Sequence, residues 1–404
     1  MPTNPTPHIL ISGAGIAGLA LALQLVRGGI RVTVVERAEA PRPGGQAVDL
    51  RGASRDVADR IGLLPKIEPR RVHEKGLSYV NAEGRVFGRM SMEDFDGKGA
   101  VAEIEIARGD LSEVLRVELD AADASGLLDL RYGDRITALA QDAAGVDVFF
   151  ERSGAARFDV VVGADGVHSA TRRLAFGPED LFSTHLGGYA AFFTIPTPPD
   201  IEEGWFSMRF VPGVTFGIRP DRDAVTSKAM LTLRADRDLS LRGAPEAQKA
   251  FIRARLRGAG WHAATIAGAL GSASDFYFDE LTRIDVPTPV SGRIVLLGDA
   301  ASSGSPMSGM GTATALIGAY LLARRIADAS ESLPEALTAY AEDIRPFAAQ
   351  GKKLMGGGIQ RMVPATRFEA MMLRASMGVM LSRPFRPVVR RMFAVSQEEL
   401  VLPA

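Results

Sequence analysis

Residues 8–37, HILISGAGIAGLALALQLVRGGIRVTVVER, decide how this chain is read. His8 to Ser12 is a short apolar run, and Gly13-Ala14-Gly15-Ile16-Ala17-Gly18 comes directly after it. Leu19 to Val26 is rich in Leu, Ala and Gln, whereas Arg31 to Glu36 is rich in Val. Strand, glycine turn, helix, second strand is the order this pattern predicts. Gly13 permits the tight bend, Gly15 lets a pyrophosphate touch the backbone, and Gly18 lets helix and strand pack closely. Unpaired amides at the helix start then favour the anion. Glu36 ends the second strand, where a carboxylate can accept hydrogen bonds from an adenosine ribose. A dinucleotide site is expected, with a purely structural turn as the alternative.

Two later stretches repeat the logic. Phe158 to Val162 is strand-like and runs into Gly163-Ala164-Asp165-Gly166, the kind of strand end that meets ligands in open α/β sheets. Arg293 to Leu297 leads into Gly298-Asp299-Ala300-Ala301, then into Pro306-Met307-Ser308-Gly309-Met310-Gly311-Thr312 and a helix expected over Ala313 to Ile326. Asp299 can hold ribityl or ribose hydroxyls there, and the helix start again offers amides. Ahead of both, Leu111, Leu115 and Leu119 mark the buried face of a helix with Arg108 near its start, where the guanidinium can also be merely solvated. A loop after Pro41 reaches Ala47-Val48-Asp49-Leu50 and a polar helix from about Ser54 to Ile61.

From about Ser183 to Pro289 the texture changes. Aromatic and β-branched runs at Tyr189 to Ile195, Trp205 to Phe210, Val214 to Ile218 and Met230 to Leu233 predict a mostly antiparallel sheet, interrupted by one helix near Pro245 to Leu256. Alternation puts Trp205, Ser207 and Arg209 on one face and Phe206, Met208 and Phe210 on the other. An insert of this kind is a substrate platform or a plain packing sheet. Met208, Phe210 and Phe216 are the apolar substrate-side candidates, with plain core as the alternative. Arg219 is the candidate partner for a substrate carboxylate or phenolate, with a surface ion pair as its alternative.

Composition narrows the classes further. The 404 residues suggest two or three domains, and 47 Lys plus Arg against 48 Asp plus Glu leave a net charge of -1, so no global field attracts nucleic acid or an acidic membrane. Zero cysteines exclude disulfides, Cys-ligated metals and thiol catalysis. His8, His73, His168, His185 and His262 are scattered without helical pairing, so no metal site is expected. Glycines interrupt the apolar stretch Ile9 to Val26, and Met1 to Pro7 carries no Lys or Arg. No membrane span and no secretory signal are therefore expected, and a cytoplasmic protein, monomer or homodimer, fits.

These motifs in this order resemble the p-hydroxybenzoate hydroxylase-like family of FAD-dependent aromatic monooxygenases, with likeness to its shorter tetracycline-degrading members, over nearly the whole chain to about residue 345. The resemblance implies an α/β fold: a Rossmann-like FAD-binding domain of GR2 type, an inserted mostly antiparallel substrate sheet and C-terminal helices. FAD-binding parts would occupy 1–75, 106–182 and 291–345, substrate-domain segments 76–105 and 183–290, and a helical region 346–404. It further implies that Gly13, Gly15, Ile16, Ala17, Glu36 and Arg37 hold the adenosine half of FAD. Arg108, Asp165 and Asp299 would contact the ribityl and pyrophosphate. Pro306, Gly309, Met310, Gly311 and Thr312 would lie beside the ring, with Asp49, Pro306 and Gly309 as flavin-proximal candidates and no side chain assigned as the catalytic group. Ser302 replaces the family's usual His, and Met310 and Ala313 replace its side-chain amides, leaving backbone amides to serve. With only Trp205 and Trp261 in the chain, the halogenase Trp-x-Trp motif is impossible.

By the same resemblance, NAD(P)H reduces FAD, and a flavin C4a-hydroperoxide formed with O2 hydroxylates or epoxidises an apolar aromatic or polyketide-like small molecule, as in secondary or antibiotic metabolism. The alternatives are a redox-neutral FAD-scaffolded cyclase or isomerase and a non-enzymatic FAD-stabilised binding protein. Between Gly351 and Phe393, nine Lys or Arg face one acid, Glu369. A helix cap over the FAD domain with a solvated basic side is expected, with a peripheral membrane helix or an anionic-substrate mouth as alternatives.

Overall fold

The computed structural model describes residues 6–41, 44–92, 104–329, 332–353, 358–385 and 400–402. From the N-terminus run β1 (His8–Ser12), α1 (Ile16–Arg27), β2 (Arg31–Glu36), β3 (Ala47–Leu50), α2 (Ala53–Arg60) and α3 (Leu64–Ile67). The hairpin β4 (Gly76–Val80) and β5 (Val86–Ser91) precedes β6 (Ile104–Ala107) and α4 (Arg108–Ala122). Then come β7 (Leu128–Tyr132), β8 (Ile136–Gln141), β9 (Val146–Phe150), β10 (Ala155–Phe158), β11 (Val160–Gly163) and α5 (Ala170–Ala175). The long strands β12 (Ser183–Pro196), β13 (Trp205–Val211), β14 (Val214–Pro220) and β15 (Thr226–Arg234) lead to α6 (Pro245–Leu256), α7 (Ala263–Ala269) and β16 (Tyr277–Asp285). The chain closes with β17 (Val290–Ser291), β18 (Ile294–Leu296), β19 (Ser302–Ser303), α8 (Gly311–Ala327), α9 (Leu333–Gly351), α10 (Ile359–Met362) and α11 (Arg367–Met380).

A six-stranded sheet in the order β17-β18-β11-β1-β2-β7 forms the nucleotide-type layer, and all its pairs except β17·β18 are parallel. Strands covered on both faces read as continuous apolar runs, as Ile9-Leu10-Ile11 and Val160-Val161-Val162 do. Helix α1 is buried along nearly its whole length because α4 and α8 enclose it on the far side from the sheet. Each fully buried Leu on it, such as Leu21 or Leu23, contributes about 1.5–3 kcal/mol relative to exposure.

The second layer is an eight-stranded sheet in the order β19-β16-β12-β15-β14-β13-β4-β5, antiparallel except for β13·β4. One face of it packs Val214, Phe216, Ile218, Leu231 and Leu233 against Ile252, Leu256 and Ile266 of α6 and α7. The opposite face is turned toward β3 and the Pro306 loop, since Phe192, Met230 and Tyr277 gather there with Met307.

Several expectations need correcting. Two helices, not one, interrupt the sheet, because the Ala-rich segment 263–269 coils under Phe216 and Trp261. Helix α9 runs unbroken through the boundary expected at 345/346 and carries Pro346 inside it. The C-terminal helices cap the substrate sheet rather than the nucleotide layer: Leu373, Met377 and Leu381 pack on Tyr79, Phe206 and Phe210, and α10 lies against β12 and β15. Lys352 pairs with Asp285 at 2.5 Å, and Arg386, Arg390 and Arg391 lie outside the described residues.

Candidate functional site

Register brings the three ligand-type motifs together. Ser12 pairs with Gly163, and Gly163 pairs with Leu296, so β1, β11 and β18 end level at one sheet edge. The turns leaving these strands, Gly13 to Gly18, Ala164 to Gly166 and Gly298 to Ala300, are therefore forced into one place. A Cβ on Gly13 would stand 2.5 Å from the Ala164 carbonyl oxygen, and one on Gly298 would stand 3.1 Å from the Ala17 Cβ. A Cβ on Gly311 would approach Asp299 Oδ1 to 3.6 Å, which puts the start of α8 against the same edge.

Two helices start there without a side-chain cap. Gly15 caps α1 and Met310 caps α8, and neither cap residue accepts a side-chain hydrogen bond from the first amides, those of Ile16 and Ala17 and of Gly311 and Thr312. Gly15 faces open space, with nothing within 4 Å of where a Cβ would stand. Gly18 is the reverse case: its Cβ would meet the Gly13 carbonyl oxygen at 1.9 Å. Glu36 accepts the Ala14 amide at 3.0 Å and the Ala38 amide at 2.9 Å, which fixes its carboxylate at the end of β2 while Arg37 stays exposed. The Pro306 loop begins at Ser305, a non-glycine residue held at φ 64°, and passes through Gly309 at φ 66°. Strain of that kind persists only where its surroundings enforce it.

Asp299 is half-buried at this edge, and desolvation raises its carboxyl above the usual range, while Arg108 and a hydrogen bond from Ser303 pull it down. Arg108 opens α4 against Gly45, and its charge also reaches the Tyr277 phenol. Asp165 is used within the protein. Its carboxylate accepts from Ser169 Oγ, from the Thr171 amide at 2.9 Å and from Thr171 Oγ1 at 3.0 Å, so it braces the start of α5. Sequence reading missed Gln46, whose buried Oε1 has no partner among the described residues. The positive-φ pair Gly44 and Gly45 just before it was the available signal.

On the sheet side the candidates separate. Met208 remains partly accessible beside Met230, whereas Phe210 is buried and stacks on Tyr79 at 5.3 Å. Phe216 is a correction: it lies on the opposite face, fully buried, with its ring 5.7 Å from Trp261. Arg219 is a second correction, being neither a surface pair nor free for a substrate anion. Its Nε donates to Glu74 at 2.7 Å and its Nη2 to Glu105 at 2.5 Å, and both acid side chains are 1% exposed. Glu74, Glu105 and Asp49 hold the Arg219 guanidinium well above its ordinary value against the opposing effect of burial.

Asp49 stands across from Glu105 in the β3·β6 pair and bridges to Arg51 at 2.5 Å. Burial first and Glu105 second push its carboxyl up to about 6, against the pull of Arg51 and Arg219.

These residues fit a dinucleotide cofactor: an open glycine at a helix start, a second uncapped helix, a half-buried carboxylate under the pull of a guanidinium, and an amide oxygen without a partner among the described residues converge at one edge. Comparisons with known proteins agree. The family described as FAD binding domain matches residues 6–353. An uncharacterized protein of Mycobacterium tuberculosis is 36% identical over 368 residues, covering 89% of this chain and 96% of the relative. A flavin-dependent monooxygenase of Legionella longbeachae is 32% identical over 345 residues, covering 85% of this chain and 87% of the relative. Among solved structures, tetracycline destructase Tet(51) superposes with a TM-score of 0.78 at 27% identity, over 100% of both chains.

Proposed function

Because this chain belongs to the FAD binding domain family and is a flavin-dependent monooxygenase, we propose that it oxygenates an apolar aromatic or polyketide-like small molecule held against its eight-stranded sheet. FAD, reduced by NAD(P)H, supplies the chemistry that activates O2 and transfers one oxygen atom to the substrate. The observation that carries the site assignment is the level ending of β1, β11 and β18, which gathers three motifs from distant parts of the chain at one edge.

The protein's own residues position and exclude. The amides at Gly15, Ile16 and Ala17 take the pyrophosphate, and Glu36 with Arg37 takes the adenosine ribose. Asp299 and Arg108 take the ribityl chain, with Asp165 holding α5 in place behind them. Gly309, Met310, Gly311 and Thr312 offer backbone to the ring edge, with Pro306 starting that loop and Gln46 and Asp49 on the side of β3. The described residues within 6–75, 106–182 and 291–351 form the FAD-holding part in this reading. The substrate wall is the face carrying Met208, Met230, Phe192 and Tyr277, where apolar side chains keep water from the reacting atoms. Among the described residues no helix is long and apolar enough to cross a membrane, and a cytoplasmic enzyme fits the cysteine-free composition.

The test is the visible spectrum of the purified protein, together with NAD(P)H and O2 consumption against polycyclic aromatic and polyketide compounds. Substrate-dependent consumption of both with oxygen in the product supports the reading. Conversion without consumption of either favours a redox-neutral isomerase.

A further inference from the structure

Monooxygenation by NAD(P)H consumes a proton: NAD(P)H, H+, O2 and substrate become NAD(P)+, oxygenated product and water. That proton must reach the site from solvent, yet the site is walled by apolar side chains. A chain of three side chains crosses from the proposed substrate face to the surface. Tyr277 Oη donates to Asp279 Oδ2 at 3.2 Å, and Asp279 Oδ1 lies 3.1 Å from His168 Nε2. His168 Nδ1 lies 3.1 Å from Glu179 Oε1, and its side chain is 24% exposed.

The inner end belongs to the site. Tyr277 stacks on Phe192 at 5.7 Å, on the face shared with Met307, and burial first and Asp279 second hold its phenol well above the ordinary value against the pull of Arg108, so it gives up its proton only as another is handed on to it. The outer end belongs to the surface, where Arg242, 54% exposed, also reaches Glu179 at 3.3 Å. A charge pair alone would suffice to staple the Asp165–His168 turn to the sheet. Asp279 instead spends its second oxygen on a phenol that faces the site.

We propose that Tyr277, Asp279 and His168 form the relay that brings the consumed proton from solvent to the oxygen atom that leaves as water. The Tyr277 O–H bond breaks as its proton goes to that oxygen. Asp279 takes the Nε2 proton of His168 and, by rotation of its carboxyl, returns it to Tyr277 Oη. His168, left neutral with its proton on Nδ1, turns its ring so that the bare Nε2 takes a proton from solvent and then turns back to Asp279, and Glu179, Arg242 and the nearby Arg172 set the charge around it.

The inference rests on the monooxygenase reading, and the experiment separates the two. In wild type, Asp279→Asn and His168→Ala, FAD retention and substrate-stimulated NAD(P)H oxidation report the monooxygenase itself. Oxygenated product formed per NAD(P)H oxidised reports the relay. The expected result is retained FAD and NAD(P)H oxidation, with product yield down about ten-fold or more in both variants. Added imidazole should restore the yield in His168→Ala. Ring NMR of the FAD-free protein should show His168 keeping its proton to about pH 9 in wild type and losing it earlier in Asp279→Asn. Unchanged product yield, or a lowered yield that imidazole leaves low, would overturn the relay and leave an interdomain brace. If His168→Ala does not fold, Asp279→Asn with its yield and solvent isotope effect decides: a yield and isotope effect equal to wild type overturn the proposal.

Discussion

Arg219 Nε lies 2.7 Å from Glu74 Oε2 in a place water barely reaches, and Glu105 closes on the same guanidinium from β6. One cation thus ties together the segment before β4, the strand β6 and the end of β14. Removing it leaves two buried carboxylates without their partner, a loss on the order of 3–5 kcal/mol. Arg219→Leu should therefore unfold at clearly lower denaturant than wild type. Arg152→Leu, which breaks a fully exposed pair with Glu39, should leave the midpoint unchanged. Equal midpoints for Arg219→Leu and wild type would show the cluster to be solvated.

Gly15 and Gly18 separate ligand from packing. Gly15 sits at φ -83° with open space around it, so Gly15→Ala should leave thermal stability unchanged while weakening FAD by about ten-fold or more, read by titration of the FAD-free protein. Gly18→Ala should instead lower stability, because its Cβ would collide with the Gly13 carbonyl. If Gly15→Ala binds FAD as wild type does, the start of α1 is not where phosphates dock.

Asp49 gives a pH signature. Its carboxyl is raised from 3.8 to about 6, so the folded state binds the proton more tightly than the unfolded chain. Stability should fall as pH rises from about 4 to about 6, by on the order of 2 kcal/mol. Asp49→Asn should flatten that slope in denaturant titrations across the window. A slope unchanged by the substitution would assign it to other groups.

His168 acts over a different window. Hydrogen bonds to Asp279 and Glu179 raise it from 6.5 to about 9. Its contribution is complete below pH 6.5 and is lost as pH passes through about 9. The melting temperature of wild type should fall over that interval more steeply than that of His168→Gln.

Residues 8–36 were largely legible, because β1, α1 and β2 carry strong periodicity and glycines with a steric task. Helix α6 follows its apolar spacing from Pro245 to Leu256 as expected. The face of Phe216 was also within reach. The tight connection at Pro212-Gly213 makes Val211 and Val214 partners, so Phe216 must pair with Arg209 and share its face, away from Met208. The acids around Arg219 were not legible, since Glu74 and Glu105 come from segments far away in sequence and meet it only through the sheet. Helix α7 was missed because an Ala-rich run of seven residues has no period long enough to read.

Three strand ends holding one extended FAD, with its ring toward the sheet, are the core of the assignment. Crystals of the protein with its flavin bound test this most directly. The pyrophosphate should lie at the amides of Gly15 to Ala17, the ribityl chain between Asp299 and Arg108, and the ring beside Pro306 to Thr312. Flavin density elsewhere, or Asp299 and Arg108 without contact to it, would contradict the account.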